Sequence, residues 1–320
     1  MAGEREPRGD RPGEGDQPAP GRLVVSQNHF YGGQAVLEGV MMRGRDHWAI
    51  AVRRPDQSIH LESFEINSLG QRYPWLARPG LRGVLALGQA LSIGVRALTI
   101  SANQSVEDEE RLTPRQMALS MTFAFVLFVA VFILLPFFGL RFFRHQVSSS
   151  ILRNVIEGLV RVLLFLGYLA LIGRMKEIRR VFEYHGAEHK TIAAYEHGEP
   201  LDPERVNRYS TLHVRCGTNF LLIVMVLTIL IYAAFGNHGV LWGIVFRIVA
   251  IPVIAGLSYE MLRLGARYPH SMLMRALMAP GLWLQKITTR KPDRDEIEVA
   301  IASFNEVLRR EAEASSGVSA

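Results

Sequence analysis

Long runs of apolar residues restrict this chain to folds that a lipid bilayer can hold. Residues 116–140 contain no charged side chain, and residues 216–235 contain none either. Both reach the roughly 20 residues that a helix needs to cross the hydrocarbon core of a bilayer. Two further runs, 154–173 and 240–258, are long enough but are interrupted by charges. The pattern predicts a mainly α-helical, polytopic membrane protein.

We predict four spans, over residues 117–140, 154–173, 216–235 and 240–258. The second contains Glu157 and Arg161, and the fourth contains Arg247. Charge inside a span costs free energy and often marks function. Because of that cost, the alternative for each of these two runs is a buried helix of a membrane-associated bundle. Glu157 and Arg161 are four residues apart, which permits an ion pair on one helix face or snorkelling of both side chains toward the outer surface.

Lysine and arginine are concentrated on one side of these spans. The 174–215 segment holds eight of them, whereas residues 236–239 hold none. By the positive-inside rule, the 174–215 segment and both termini lie in the cytosol. The same residues explain the formal net charge of +6, so we do not expect a nucleic-acid partner. The one cysteine excludes an intramolecular disulfide.

The part before the first span is predicted to be cytosolic. Residues 1–28 contain few apolar side chains and form a predicted disordered tail. Residues 29–80 form a small α/β part, in which alternating segments at 47–53 and 58–66 predict a β-hairpin. It is too small for a large core of its own, so it should pack on the membrane domain or on a partner. Four glycines within residues 32–44 predict a loop with positive φ or a close backbone approach to the site.

Two helical segments flank the spans. Residues 81–102 predict an amphipathic helix along the cytosolic membrane surface; a re-entrant helix and a fifth span are the alternatives. Residues 259–320 predict a cytosolic helical segment, in which Asp293 and Glu296 have the spacing of a capping box. One apolar face of that segment should dock on the rest of the protein, and it comprises Ile297, Ile301, Phe304 and Leu308.

A metal motif lies in the 174–215 segment. His185, Glu188 and His189 form His-x-x-Glu-His, the inverted pattern of zinc hydrolases. Residues four apart share one helix face, so the two imidazoles can bind one metal ion. Glu188 stands where a general base for water is needed. The alternative is a pair of surface histidines on a polar helix.

A zinc site needs a third protein ligand. The candidates are His213, Cys216, Glu260 and Glu196. We favour His213 or Cys216, which lie where the third span begins, with Glu260 next. If His213 and Cys216 both join the two motif histidines, the site is closed and structural rather than catalytic.

Two of these candidates have simpler alternative roles. Cys216 is equally well explained as a small buried apolar residue. Glu260 is equally well explained by an ion pair with Arg263 or Arg247.

Five segments identify a family resemblance. They are 32–44 (GGQAVLEGVMMRG), 184–192 (YHGAEHKTI), 215–218 (RCGT), 252–260 (PVIAGLSYE) and 280–290 (PGLWLQKITTR). Together and in this order they resemble the YqhQ-like family of bacterial membrane proteins of unknown function, described as predicted metal-dependent enzymes. The resemblance covers about residues 29–310. One departure is Val214, where the family pattern has proline, which leaves His213 and Cys216 in place.

The resemblance implies a multi-pass protein of the bacterial cytoplasmic (inner) membrane with a metal site. From the motif we predict a zinc-dependent hydrolase whose site lies at the cytosolic membrane face, with Glu188 as the base. The alternative is a non-catalytic membrane scaffold or regulator with a structural metal site. Expected partners are the lipid bilayer, a substrate of undefined class and, as an open alternative, further copies of the chain.

Overall fold

The computed structural model describes residues 31–66, 69–107, 111–142, 149–235, 240–268 and 270–317. The predicted tail, residues 1–28, lies outside them. The strands are β1 (Gly32–Val36), β2 (Gly39–Arg43), β3 (His47–Arg53) and β4 (Ile59–Glu65). The helices are α1 (Leu69–Arg72), α2 (Leu81–Gln104), α3 (Pro114–Val129), α4 (Leu135–Phe142), α5 (Ser150–Ile172), α6 (Lys176–Glu196), α7 (Pro203–Val206), α8 (Gly217–Phe235), α9 (Val240–Arg267), α10 (Met272–Thr288) and α11 (Arg294–Ser316), with a 3-10 turn at Pro74–Ala77.

All four predicted spans fall on helices that are long and apolar enough to cross a membrane. These candidates are Pro114–Leu134, Ile151–Ile172, Gly217–Ala234 and Ile248–Arg267. A π-helical turn at Ala130–Leu134 joins α3 to α4, because the following Pro136 cannot donate to the helical ladder. Helix α9 continues to Arg267, beyond the predicted end at residue 258. The mainly α, membrane-protein fold is confirmed.

Helix α2 also has the length and composition to cross a membrane, as the fifth-span alternative for residues 81–102 requires. This gives five candidates among the described residues. The first half of α2 packs on α9, where Gly83 lies against Tyr259. Its second half packs under the sheet: Ala97 is buried, and the Arg96 guanidinium lies 3.8 Å from the ring centre of Phe64.

The four strands form one antiparallel sheet in the order β1-β2-β3-β4. The predicted hairpin is confirmed, with His47 opposite Glu65. The glycine-rich segment at 32–44 is a second hairpin rather than the predicted loop, since Gly33 pairs with Met42 across it. Its positive φ falls on a non-glycine residue, Glu38, at 51° in the two-residue turn. Backbone pairing along β2 outweighs the weak strand preference of the glycines.

Both faces of the sheet are covered, which gives the small N-terminal part its core. Trp48, Ile50 and Val52 point toward α2, while Ala49 and Ala51 point toward α11. This is the period-two alternation of a strand that is buried on both faces. The prediction that this part packs on the rest of the protein is confirmed.

Helix α11 connects the sheet to the motif helix. The predicted capping box of Asp293 and Glu296 is present. The predicted apolar face of Ile297, Ile301, Phe304 and Leu308 is buried in the core. Helix α6, which carries the metal motif, packs against both α11 and β1. Contacts with two other elements therefore fix its position.

Candidate metal centre

Helix α6 brings the two motif histidines together. The ring centres of His185 and His189 are 4.4 Å apart, as the four-residue spacing requires. His189 is buried, with 1% of its surface exposed. The alternative of two surface histidines therefore does not describe this site.

Cys216 completes a three-residue cluster. One ring nitrogen of His185, one of His189 and the Sγ of Cys216 all lie within 4.8 Å of one another. Cys216 immediately precedes α8, and its Sγ is 3.2 Å from the Nε2 of His185. Its side chain is buried, and burial raises the pKa of the thiol. Of the four candidates for a third donor, Cys216 is the one that lies in this group among the described residues.

Backbone carbonyls orient both imidazoles. The Nδ1 of His185 is 2.8 Å from the carbonyl oxygen of Thr288, and the Nδ1 of His189 is 2.5 Å from that of Thr211. A carbonyl only accepts, so each Nδ1 carries the proton and each Nε2 keeps its lone pair. Metal-binding histidines are usually held in this way.

The Nε2 of His189 is buried, and no described residue forms a hydrogen bond with it. An unsatisfied buried nitrogen costs free energy, and a metal ion removes that cost. Burial also lowers the pKa of His189 well below its usual value, which keeps the ring neutral as a ligand must be. Two neutral imidazoles and a thiolate, formed when the Cys216 thiol gives up its proton on metal binding, are donors that zinc prefers. The residues present therefore fit a zinc ion.

Glu188 lies beside the cluster. Burial raises the pKa of its carboxyl to about 8, opposed by the nearby His185, and its carboxyl accepts a hydrogen bond from the backbone N–H of Gly33. A Cβ on Gly33 would lie 2.8 Å from the Cγ of Glu188. The backbone of the glycine-rich segment therefore approaches the Glu188 side chain closely, as predicted, although the segment is a strand here and not a loop.

His213 lies next to the cluster but outside the three-donor set. Its ring centre is 5.6 Å from that of His189, and its Nε2 is 3.5 Å from a carboxylate oxygen of Glu196. Burial lowers the pKa of His213 to about 4. Glu196 also pairs with Arg215, so the structure joins two of the predicted candidates to each other instead of to the motif histidines.

Glu260 lies outside the group of three donors formed by His185, His189 and Cys216. Its carboxylate forms an ion pair with Arg82 and accepts a hydrogen bond from the backbone N–H of Gly80. An ion pair was the predicted alternative for Glu260; its hydrogen-bonded partner is Arg82 of α2, and the charge of Arg263 also attracts the carboxylate. The contact fastens the start of α2 to α9.

The backbone groups at the site were missed by sequence reasoning, because any residue type can supply a carbonyl. Thr211 and Thr288 act through their main chains, and no side-chain pattern marks them. Gly186 does carry a signal: it lies inside the motif, and a Cβ there would overlap the carbonyl oxygen of Arg290. A glycine beside a metal ligand indicates that another segment crosses the helix at this point.

Comparisons with known proteins agree with the resemblance seen in the sequence. The profile of a family described as "Protein of unknown function (DUF1385)" matches residues 78–310. "Uncharacterized protein YqhQ" of Bacillus subtilis (strain 168) is 36% identical over 296 residues, which are 88% of this chain and 93% of that protein. No solved structure matches the chain.

Proposed function

We propose, for this chain that belongs to the DUF1385 family of proteins of unknown function, a zinc-dependent hydrolase at the cytosolic face of the bacterial inner membrane. His185, His189 and Cys216 would hold the metal, and Glu188 would act as the general base. The observation that carries the proposal is the unpartnered Nε2 of His189 in a buried three-donor cluster.

Three protein donors leave a coordination position open, which is the pattern of catalytic zinc sites. When bound, zinc supplies Lewis-acid activation of water near neutral pH. A pKa of about 8 lies close to the working range of a general acid or base but leaves the Glu188 carboxyl mostly protonated at neutral pH. The positive charge of a bound metal would lower that pKa and favour the carboxylate that a base needs. The N–H of Gly33 holds its carboxyl in place.

The position of the cluster supports a substrate that is reached from the membrane border. Cys216 comes directly before the candidate span Gly217–Ala234, and α6 follows the candidate span Ile151–Ile172 after a short connection. The site thus lies where two apolar helices meet the folded N- and C-terminal parts. Peptides, lipids and small amides remain open as substrates.

A structural metal in a membrane scaffold is the second candidate, and the burial of the cluster favours it. Glu188, His189 and Cys216 are each exposed by 7% or less. A buried site with His213 as a fourth donor would be closed and non-catalytic. The ring of His213 is near enough for a small rearrangement to bring it in.

The direct test of the proposal is the metal content of purified full-length protein prepared without chelators. We expect about one zinc per chain, measured by inductively coupled plasma mass spectrometry. His213→Ala should retain that zinc, because His213 is outside the three-donor set. Metal-free wild-type protein would contradict the proposal, and loss of zinc in His213→Ala would favour the closed structural site.

Topology is a separate expectation. The sheet contacts of α2 hold its second half in the folded unit formed with α11, so α2 should lie along the membrane and four helices should cross. Reporter fusions at residues 107 and 200 and at the C-terminus should then give cytosolic signals, and a fusion at Ser149 an external one. A cytosolic signal at Ser149 would mean that α2 crosses.

A further inference from the structure

A strongly basic cleft lies next to the metal centre. It is formed by the end of α5, the first half of α6 and the end of α10, and its volume is about 570 Å³. This is within the range of small-molecule sites, about 300–1,000 Å³. Five cationic side chains line it: Arg174, Arg179, Lys286, Arg290 and Lys291. Glu183 is the one carboxylate in its lining.

Most of this charge is not neutralised within the protein. Glu183 pairs with Arg179 at 3.2 Å. Arg174, Lys286 and Lys291 form no ion pair with any residue that the structure describes. Arg290 donates only to a backbone carbonyl, that of Gly173, at 3.3 Å. Like charges gathered around one cavity repel each other, and an anion bound among them would offset that repulsion.

The cleft is also apolar on the side of the spans. Leu169 and Ala170 belong to the last turn of the candidate span Ile151–Ile172, and Ile287 to the last turn of α10. The lining is therefore apolar on the side of the candidate span and cationic beyond its end, as the chains and the headgroup of a lipid would require. A free solute would not need the apolar side.

We propose that this cleft binds the phosphate of an anionic membrane lipid, with the headgroup among the cations and the chains leaving along α5. Lysine and arginine are the usual ligands of phosphate oxygens in proteins. A phosphorylated solute shares the headgroup chemistry but leaves the apolar lining unused. The proposal concerns binding alone and holds whether or not the metal centre is catalytic.

The cleft and the metal centre share a segment of chain. The carbonyl of Thr288 holds the ring of His185, and the carbonyl of Arg290 lies against Gly186 of the motif helix. A lipid that contacts Lys286, Arg290 and Lys291 therefore touches the same few residues that orient a zinc donor. A headgroup bound in the cleft would thus contact the segment whose carbonyls position the motif helix.

Cations at the cytosolic ends of spans are common for topological reasons alone, so the test needs a matched control. Lys286→Gln/Lys291→Gln removes two exposed cations of the cleft, and Lys176→Gln/Arg208→Gln removes two exposed cations outside its lining. Native mass spectrometry of the full-length protein in detergent would measure binding of phosphatidylglycerol, of diacylglycerol with the same chains and of glycerol 3-phosphate.

We expect phosphatidylglycerol to bind the wild type and the control, and to bind Lys286→Gln/Lys291→Gln roughly 30-fold more weakly. Diacylglycerol and glycerol 3-phosphate should bind much more weakly than the phospholipid. Equal phospholipid binding by all three proteins, or an equal fall in both variants, would overturn the proposal. Equally tight binding of glycerol 3-phosphate would overturn the lipid assignment. Lys286→Arg/Lys291→Arg should restore binding, which separates loss of charge from misfolding.

Discussion

Purified His189→Ala protein is expected to contain almost no zinc, whereas the wild type contains about one per chain. The Nε2 of His189 is a buried lone pair with no hydrogen-bond partner among the residues that the structure describes, so the substitution removes one of the three clustered donors. Loss of a residue that merely orients a ligand already weakens metal binding 10- to 100-fold. Loss of the ligand itself should weaken it by at least about 100-fold.

His197→Ala is the matched control. His197 caps the same helix, is exposed and stands outside the cluster. It should keep the wild-type zinc content in the same mass-spectrometric measurement, and both variants should be compared for yield in the membrane fraction. Unchanged zinc in His189→Ala would rule out this residue as a ligand and remove the main support for a metal centre here.

Glu188→Gln is expected to keep zinc and abolish hydrolysis. The amide has nearly the size of the carboxyl, and its carbonyl oxygen can still accept the hydrogen bond from Gly33. It cannot take up a proton at neutral pH. Removal of a general base typically lowers a rate about 10²- to 10⁴-fold. Zinc content should therefore stay at the wild-type level in this variant while hydrolytic activity is lost.

The measurement compares lipids and peptides from cells that produce the wild type, Glu188→Gln or Glu177→Gln, by liquid chromatography and mass spectrometry. Glu177 lies in the first turn of the same helix and is exposed, so its variant should behave as the wild type does. Products that appear with the wild type and Glu177→Gln but not with Glu188→Gln would identify the substrate class. If Glu188→Gln yields the same products as the wild type, Glu188 is not the base. If none of the three proteins changes the lipid and peptide composition of the cells, the structural-metal scaffold becomes the better explanation.

The elements predicted well from the sequence are those that short stretches of chain determine. Membrane-spanning helices follow from the hydropathy of about 20 consecutive residues, and all four predicted spans lie on such helices. The side-by-side placement of His185 and His189 follows from helical geometry alone. The hairpin of β3 and β4 and the capping box at Asp293 are similarly local.

The elements predicted poorly depend on partners that are distant in sequence. Residues 32–44 looked like a loop because glycine disfavours strands, but β2 is held between β1 and β3 by backbone hydrogen bonds. For α2 the sequence left a surface helix, a re-entrant helix and a fifth span open, and the packing of Ala97 and Arg96 on the sheet favours the surface helix. Such contacts exist only after the N-terminal part has folded.

The sequence by itself determined that this chain forms long apolar helices. It also determined that one polar helix carries two histidines and a glutamate. Only the tertiary structure decided which third donor meets them. Cys216 and His213 are three residues apart, and Glu260 follows much later, so spacing could not rank them. Contacts of His185 with the Thr288 carbonyl at the end of α10 and with the Cys216 thiol just before α8 form this cluster, while Glu260 is held by Arg82. Ligand geometry at this site is a property of helix packing, which no local pattern of residues encodes.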